Sequence, residues 1–295
     1  MEYIEAKTML TKCRDSSWFG TNYNMNIYKG CCHGCIYCDS RSECYRIEEF
    51  DKVRAKKDSL LLLRNELQRK IRTGIIGFGA MSDPYNPFEQ ELELTRHSLE
   101  LVDAYGFGAA IATKSPLITR DTDILQSIAE HSPVICKITV TAADDELSKK
   151  VEPNASPSSK RMNAIKQLSE SGIFSGILLM PVLPFIEDNE KNITAIVDMA
   201  ADSGAKFIYP AFGMTLRGNQ RKYYYDRLDE IYPDGSIKEK YIKYYSGKYK
   251  CVSLNVKKLW TIFTERCSKY GILYNMKDIV ASAKLPYAQN QLSLF

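Results

Sequence analysis

The sequence predicts an α/β fold: six parallel strands in a doubly wound sheet or an open, partial barrel, followed by a mainly helical C-terminal region. Three observations predict it. Strand-like and helix-like stretches alternate strictly between residues 23 and 209, which argues for a parallel sheet with helices outside. The strands are nearly continuous apolar runs, as expected of a sheet covered on both faces. Six units are too few for a closed eight-stranded barrel.

The elements follow in order. Residues 23–28 read as the first strand. Leu60, Leu63, Leu67 and Ile71 recur at helical spacing, with Gly74 as the stop. Residues 75–79 form a short apolar strand, 89–105 a helix, and 107–113 the third strand. A helix over 121–130 leads to the β-branched strand 134–140. A helix over 159–171, ended by Gly172, precedes strand 173–180. The last helix covers 189–203, ended by Gly204, and the last strand 206–209. Catalytic groups in either architecture collect at the C-terminal ends of the strands.

Composition narrows the class. The 295 residues are 44% hydrophobic and 26% charged, which excludes disordered, collagenous and coiled-coil chains. The most apolar stretch, 173–186, is too short to span a bilayer and holds Pro181 and Pro184. The N-terminus, MEYIEAK, is acidic where a secretory signal is basic. The expectation is a cytoplasmic protein with no membrane partner. The net charge of +4 is uneven. Residues 211–295 carry 15 Lys and Arg against 7 Asp and Glu, and 11 of the 19 tyrosines, so they hold +8 and residues 1–210 hold −4. We therefore expect a domain over 1–210, a basic, Tyr-rich region over 211–285, and a flexible tail over 286–295.

Nine cysteines, an odd number with no export signal, do not suggest a disulfide framework. Five fall within fourteen residues: Cys31, Cys32, Cys35, Cys38 and Cys44. Clustered thiolates in a reducing compartment point to iron–sulfur or zinc. A structural zinc wants four protein ligands, and no second C-x2-C lies downstream. Cys31, Cys35 and Cys38 give C-x3-C-x2-C directly after the first strand. That spacing, with the aromatic Tyr37 before the last cysteine, is the radical S-adenosylmethionine (SAM) signature. Three thiolates on a 4Fe–4S cluster leave one iron open, and in that superfamily it chelates SAM, whose reductive cleavage makes a 5′-deoxyadenosyl radical. Cys32 could replace Cys31 in a C-x2-C-x2-C reading, but the superfamily spacing selects Cys31. His33 reads as a loop group rather than a ligand.

Longer segments carry a closer resemblance: NIYKGCCHGCIYC (26–38), MSDPYNP (81–87), ATKSPL (112–117), KITVT (137–141), EPNASPSSKR (152–161) and MPVLPFIED (180–188). Together they resemble the spore photoproduct lyase-like branch of radical SAM proteins, over residues 22–212. The resemblance implies a partial (β/α)6 radical SAM barrel with a mainly helical C-terminal extension, a 4Fe–4S cluster held by Cys31, Cys35 and Cys38, and SAM. It implies SAM contacts from Tyr37, from Ser82 and Asp83 near the amino group, from Lys114 to the carboxylate, and from Thr139. It also implies an electron donor such as flavodoxin or ferredoxin.

Two positions depart from that branch. True lyases have a cysteine that donates a hydrogen atom where this chain has Ala80, and a tyrosine after the last cluster cysteine where it has Asp39. Lyase activity on the thymine lesion is therefore not implied. Cys44 is a conceivable substitute donor, though a small buried cysteine is the plainer reading. The expected activity is radical SAM chemistry on nucleic acid, above all DNA. The alternatives are RNA, a peptide or a small metabolite as substrate, or a non-catalytic iron–sulfur protein.

Two features of residues 211–295 bear on partners. Over 217–250, basic residues interleave with tyrosines such as Tyr223, Tyr224, Tyr225, Tyr241, Tyr244, Tyr245 and Tyr249. That is a nucleic-acid footprint if the rings stack on bases, and a packed face if they are core. The final pentapeptide, Gln291-Leu292-Ser293-Leu294-Phe295, resembles the bacterial sliding-clamp motif at every position.

Overall fold

The computed structural model describes residues 1–287. Its main sheet has six parallel strands: β1 (Tyr23–Met25), β2 (Ile75–Phe78), β3 (Gly108–Thr113), β4 (Val134–Thr139), β5 (Ser175–Leu179) and β6 (Phe207–Pro210). Each pairs with the next in chain order, and Leu10–Lys12 adds an antiparallel edge beside β1. A strand order that never reverses has no switch point, which removes the doubly wound alternative. The sheet is an open, partial barrel.

The helices α1 (Ser59–Gln68), α2 (Leu94–Ala104), α3 (Thr122–His131), α4 (Ser158–Glu170) and α5 (Glu190–Asp202) follow successive strands. α5 shows how the sequence builds one. The Asn189 side chain caps it by accepting from the Asn192 N–H at 2.9 Å. Ile193, Ile196, Val197 and Ala200 then form a buried stripe at helical spacing. Fully burying each Ile or Val contributes about 1.5–3 kcal/mol, so Ile196→Ala would cost about 2–5 kcal/mol.

Strand residues alternate between two cores. Ile76, Ile111, Ile138 and Ile177 face outward to the helices in one large cluster. Ile75, Ala110, Ile135, Leu178 and Phe207 face the lumen, where Phe19 joins them.

Local departures from the expected elements have local causes. The first strand ends at Met25, because Asn26 turns its Oδ1 to accept from the Met81 N–H at 3.0 Å. Tyr28–Lys29 then joins a separate small sheet with Arg54–Lys56 and Glu2–Ile4. The helix expected over 89–105 breaks at Glu93, which adopts φ +49.

The C-terminal extension contains α6 (Gly218–Ile231), α7 (Ser236–Tyr245), α8 (Val256–Tyr270) and α9 (Met276–Lys284). It also holds a two-stranded antiparallel ribbon, Gly213–Thr215 with Lys250–Val252, which the sequence reading did not anticipate. The extension wraps the barrel. Arg266 of α8 pairs twice with Asp198 of α5, at 2.6 Å each. Leu273 extends the edge of β6 through hydrogen bonds with Lys206 and Ile208. Ile279 and Ala283 of α9 close the lower lumen. No helix among the described residues is long and apolar enough to cross a membrane.

The tyrosines divide. Tyr224, Tyr241 and Tyr245 are core residues, packed with Leu183, Leu228 and Cys251. The Tyr224 hydroxyl donates to the Tyr241 hydroxyl at 2.9 Å, and Tyr241 donates to the Pro184 carbonyl at 3.0 Å. Base stacking is thus closed to these three rings, and Tyr244 and Tyr249 are the exposed ones. The clamp-like pentapeptide lies outside the described residues.

Candidate active site

The loop after β1 is held on both sides. Gly30 has φ +83, and a Cβ there would stand 2.3 Å from the Lys52 carbonyl oxygen, so no other residue fits. The Cys31 N–H donates to Phe50 O at 2.8 Å. Opposite, the Ile36 N–H donates to Val151 O and the Asn154 N–H to His33 O, both at 3.0 Å. The Asn154 side chain adds a bond to Cys32 O at 3.0 Å.

Cys31, Cys35 and Cys38 line one cavity of about 170 Å³, together with Ser82, Asp83, Lys114 and Thr139. Residues 31 to 139 come from four strand ends, and the fold brings them to one point. Burial pushes the Cys31 thiol up to about 12, with the Asp83 carboxylate adding to it. Burial likewise raises Cys35, against an opposing pull from Lys114. Cys32 does not line this cavity; its side chain packs against the outer core. Cys44 is exposed and lines neither cavity described here.

Asp83 ties the loops together. Its Oδ1 accepts from Thr113 Oγ1 at 2.6 Å and the Tyr85 N–H at 2.9 Å. Its Oδ2 accepts from the Lys114 N–H at 2.8 Å and lies 3.0 Å from His33 Nε2. That last contact is close without being aligned as a hydrogen bond. Burial alone would raise this carboxyl; the His33 ring and the Thr113 and Lys114 bonds outweigh it and hold it at about 2. Ser82 donates to the Tyr28 carbonyl at 2.8 Å, which leaves its lone pairs free to accept.

One participant escaped the sequence reading. Glu152 is buried and bonded by Arg161 Nη2 at 2.5 Å and by the Tyr37 hydroxyl, with Lys114 Nζ 3.8 Å away. Arg161, itself fully buried, also donates to Thr139 O at 2.9 Å. The pair therefore joins Tyr37, Lys114 and Thr139 from below. The signal for both lies in EPNASPSSKR (152–161), which opens on Glu152 and closes on Arg161.

A larger cavity, about 630 Å³, adjoins the first and shares Cys38 and Lys114 with it. Its walls are mostly apolar and include Met180, Pro181, Phe212, Met214 and Trp260. Tyr37 and Asp39 form its inner edge. Asp39 accepts from Arg217 at 2.5 Å, Tyr45 at 2.7 Å and Thr215 at 3.0 Å. The aspartate that departs from the lyase pattern thus fastens the cysteine loop to the extension. Ala80 lines the smaller cavity and has no S–H to donate.

A model of the radical SAM superfamily matches residues 25–196, more than half of the chain. The chain belongs to the radical SAM superfamily. It is a radical SAM enzyme, and its cofactors are a 4Fe–4S cluster and SAM. An uncharacterised protein of Mycobacterium tuberculosis is 27% identical over 238 residues, covering 78% of this enzyme and 70% of that protein. An uncharacterised protein of Methanocaldococcus jannaschii is 31% identical over 173 residues, covering 58% and 64%. A solved spore photoproduct lyase variant with bound AdoMet and dinucleoside spore photoproduct shares the fold, with TM-score 0.65. It is 15% identical, over 92% of this enzyme and 81% of that chain.

The donor set fits the cluster. Three cysteine thiols line one cavity, and thiolates are the ligands that iron–sulfur clusters take.

Proposed function

We propose that this enzyme acts on nucleic acid, with DNA first, at a damaged or modified nucleotide held in the 630 Å³ cavity. The observation that carries the reading is the junction of the two cavities. The larger opens directly onto Cys38 and Lys114. A group bound there would lie beside the residues that hold the cofactors.

Cys31, Cys35 and Cys38 would hold the cluster. Lys114 would meet the SAM carboxylate, and Ser82, Asp83, Thr139 and Tyr37 would frame the rest of that cofactor. Asp83 would do so while pinned by the bonds it already accepts. When bound, these cofactors supply a 5′-deoxyadenosyl radical, and the protein's share is to orient SAM and substrate.

Trp260, which is part exposed, and Lys250 line the cavity. Aromatic faces suit unpaired bases and lysines suit phosphates. The structural neighbour, solved with a dinucleoside lesion, adds support. Ala80 and Asp39 separate the reading from spore photoproduct lyase itself, so reversal of that lesion is not its proposed reaction. An electron donor such as flavodoxin or ferredoxin would reduce the cluster, and residues 291–295 would dock on a sliding clamp. The localisation that fits this reading is cytoplasmic.

The test is anaerobic reconstitution with iron and sulfide, then reduction with SAM in the presence of single-stranded or lesion-bearing DNA. The reading expects 5′-deoxyadenosine formation that DNA stimulates. Formation that ignores DNA but responds to RNA, a peptide or a metabolite would replace it.

A further inference from the structure

Gln220, in the first turn of α6, is fully buried, and its side chain is bonded to main-chain groups at both ends of the amide. Nε2 donates to the Tyr37 carbonyl at 3.1 Å and to the Thr215 carbonyl at 3.2 Å. Oε1 accepts from the Arg217 N–H at 3.0 Å. A carboxamide has two N–H donors, so both are used. Gln220 lines neither of the two cavities described above.

The residue it holds lies between two of the clustered thiols, Cys35 and Cys38, and is fixed at both ends. The Tyr37 carbonyl takes the Gln220 bond, and the Tyr37 hydroxyl donates to Glu152. The ring between them lies with its centre 5.6 Å from Lys114 Nζ. The Cys38 N–H, on the same peptide as the Tyr37 carbonyl, donates to Cys35 O at 3.3 Å. Tyr37 is thus a strut from the extension to the Glu152–Lys114 pair. Asn219, one residue earlier in α6, reaches the loop farther on: it accepts from the Glu43 N–H at 3.1 Å and donates to Arg41 O at 3.4 Å. Among the described residues, only the Gln220 bond runs from α6 to the segment between the two thiols.

We propose that Gln220 is a positioning residue for SAM: by holding the Tyr37 carbonyl it fixes the Tyr37 ring against Lys114 and the Cys35–Cys38 turn, so that its loss weakens SAM binding while the cluster still assembles. The inference rests on the reading that Cys31, Cys35 and Cys38 hold the cluster and that Lys114 meets the SAM carboxylate. A residue tied at both ends carries a shift at one end to the other, and a misplacement of about 1 Å is enough to spoil a bound geometry. By linkage, a contact that favours SAM is itself favoured by SAM.

The experiment is an anaerobic calorimetric titration of SAM into the reconstituted, unreduced full-length protein, with iron content measured on the same samples. Gln220→Met keeps the wild-type iron content and binds SAM about fivefold more weakly, or worse. Asn219→Ala, from the same helical turn, binds SAM as the wild type does. Wild-type SAM affinity in Gln220→Met overturns the proposal. So does a folded Gln220→Met that lacks the cluster, or an equal weakening in Asn219→Ala. A second measurement needs no variant to fold. SAM added to the reconstituted wild type slows deuterium exchange of the backbone over 217–224, although no residue of that segment lines either cavity; exchange there that ignores SAM overturns the proposal. A wild type that assembles no cluster or binds no SAM would instead refute the reading beneath it.

Discussion

Replacing Glu152 with glutamine removes one negative charge from the point where two cations meet. The carboxylate bonds Arg161 at 2.5 Å and stands 3.8 Å from Lys114 Nζ, while the Tyr37 hydroxyl donates to it. Glutamine keeps the volume and one acceptor for Tyr37, so the loss is mainly electrostatic. Arg161 is fully buried and would keep only neutral partners, the carbonyls of Thr139 and Ser156 and the Ser148 hydroxyl. Breaking a buried pair by removing one partner typically costs about 3–5 kcal/mol. Lys114 is partly open to the cavity and adds little to that sum. We therefore expect about 3 kcal/mol, near the low end because the neutral acceptors remain. Urea denaturation of the metal-free protein at pH 7.5 measures it, and a melting shift of about 6 °C should accompany it. The folded carboxyl is held below its ordinary value by the facing Arg161, after burial has pushed the other way. Its contribution is therefore present above the unfolded value and is lost as pH falls through the folded one. The difference between wild type and Glu152→Gln should shrink in acid. A change under about 1 kcal/mol at pH 7.5 would refute the claim that Glu152 anchors this site.

Three further outcomes follow from the same structure. Cys31→Ala, Cys35→Ala and Cys38→Ala should each lose the brown cluster absorbance and bound iron, and Cys32→Ala should keep both; the reverse result for Cys31 and Cys32 would overturn the ligand set. Lys137→Met should stabilise the metal-free protein at pH 7, because burial lowers the Lys137 amine from 10.5 to about 7, which costs about 5 kcal/mol at 1.36 kcal/mol per pH unit. That cost applies below pH 7 and is relieved as pH rises toward 10, so the mutant's advantage should vanish there; a thermal-denaturation series across this range checks the sign. Deleting residues 291–295 should abolish binding to purified sliding clamp in a titration, and equal binding by the truncated protein would remove the clamp from the account.

The barrel was legible because its signals are local. Apolar runs, β-branched strands and glycine stops place six strands and five helices within a few residues of where they lie. Short elements whose partners are distant were not. Leu10–Lys12 and the ribbon Gly213–Thr215 with Lys250–Val252 are three-residue strands, too short for periodicity to declare. The tyrosines of 217–250 show the limit of composition, since a ring that packs and a ring that stacks on a base have the same spelling. Tyr241 went to the core because Leu183 and Tyr224 stand opposite it. In the site, cysteine spacing named the thiols that share a cavity. It could not name Glu152 or Arg161, which act from a different strand end. Asp39 read only as a departure from a pattern, and its physical reason, Arg217, lies 178 residues away.

The central claim is that this radical SAM enzyme turns its chemistry on nucleic acid beside Cys38 and Lys114. The most direct measurement is the rate of 5′-deoxyadenosine formation by reconstituted, reduced enzyme, with and without DNA, in wild type and in a variant that fills the larger cavity, Met214→Trp. The account predicts that DNA raises the wild-type rate several-fold, and that Met214→Trp cleaves SAM at the basal rate without responding to DNA. A wild-type rate indifferent to DNA, or a full response in Met214→Trp, would contradict it.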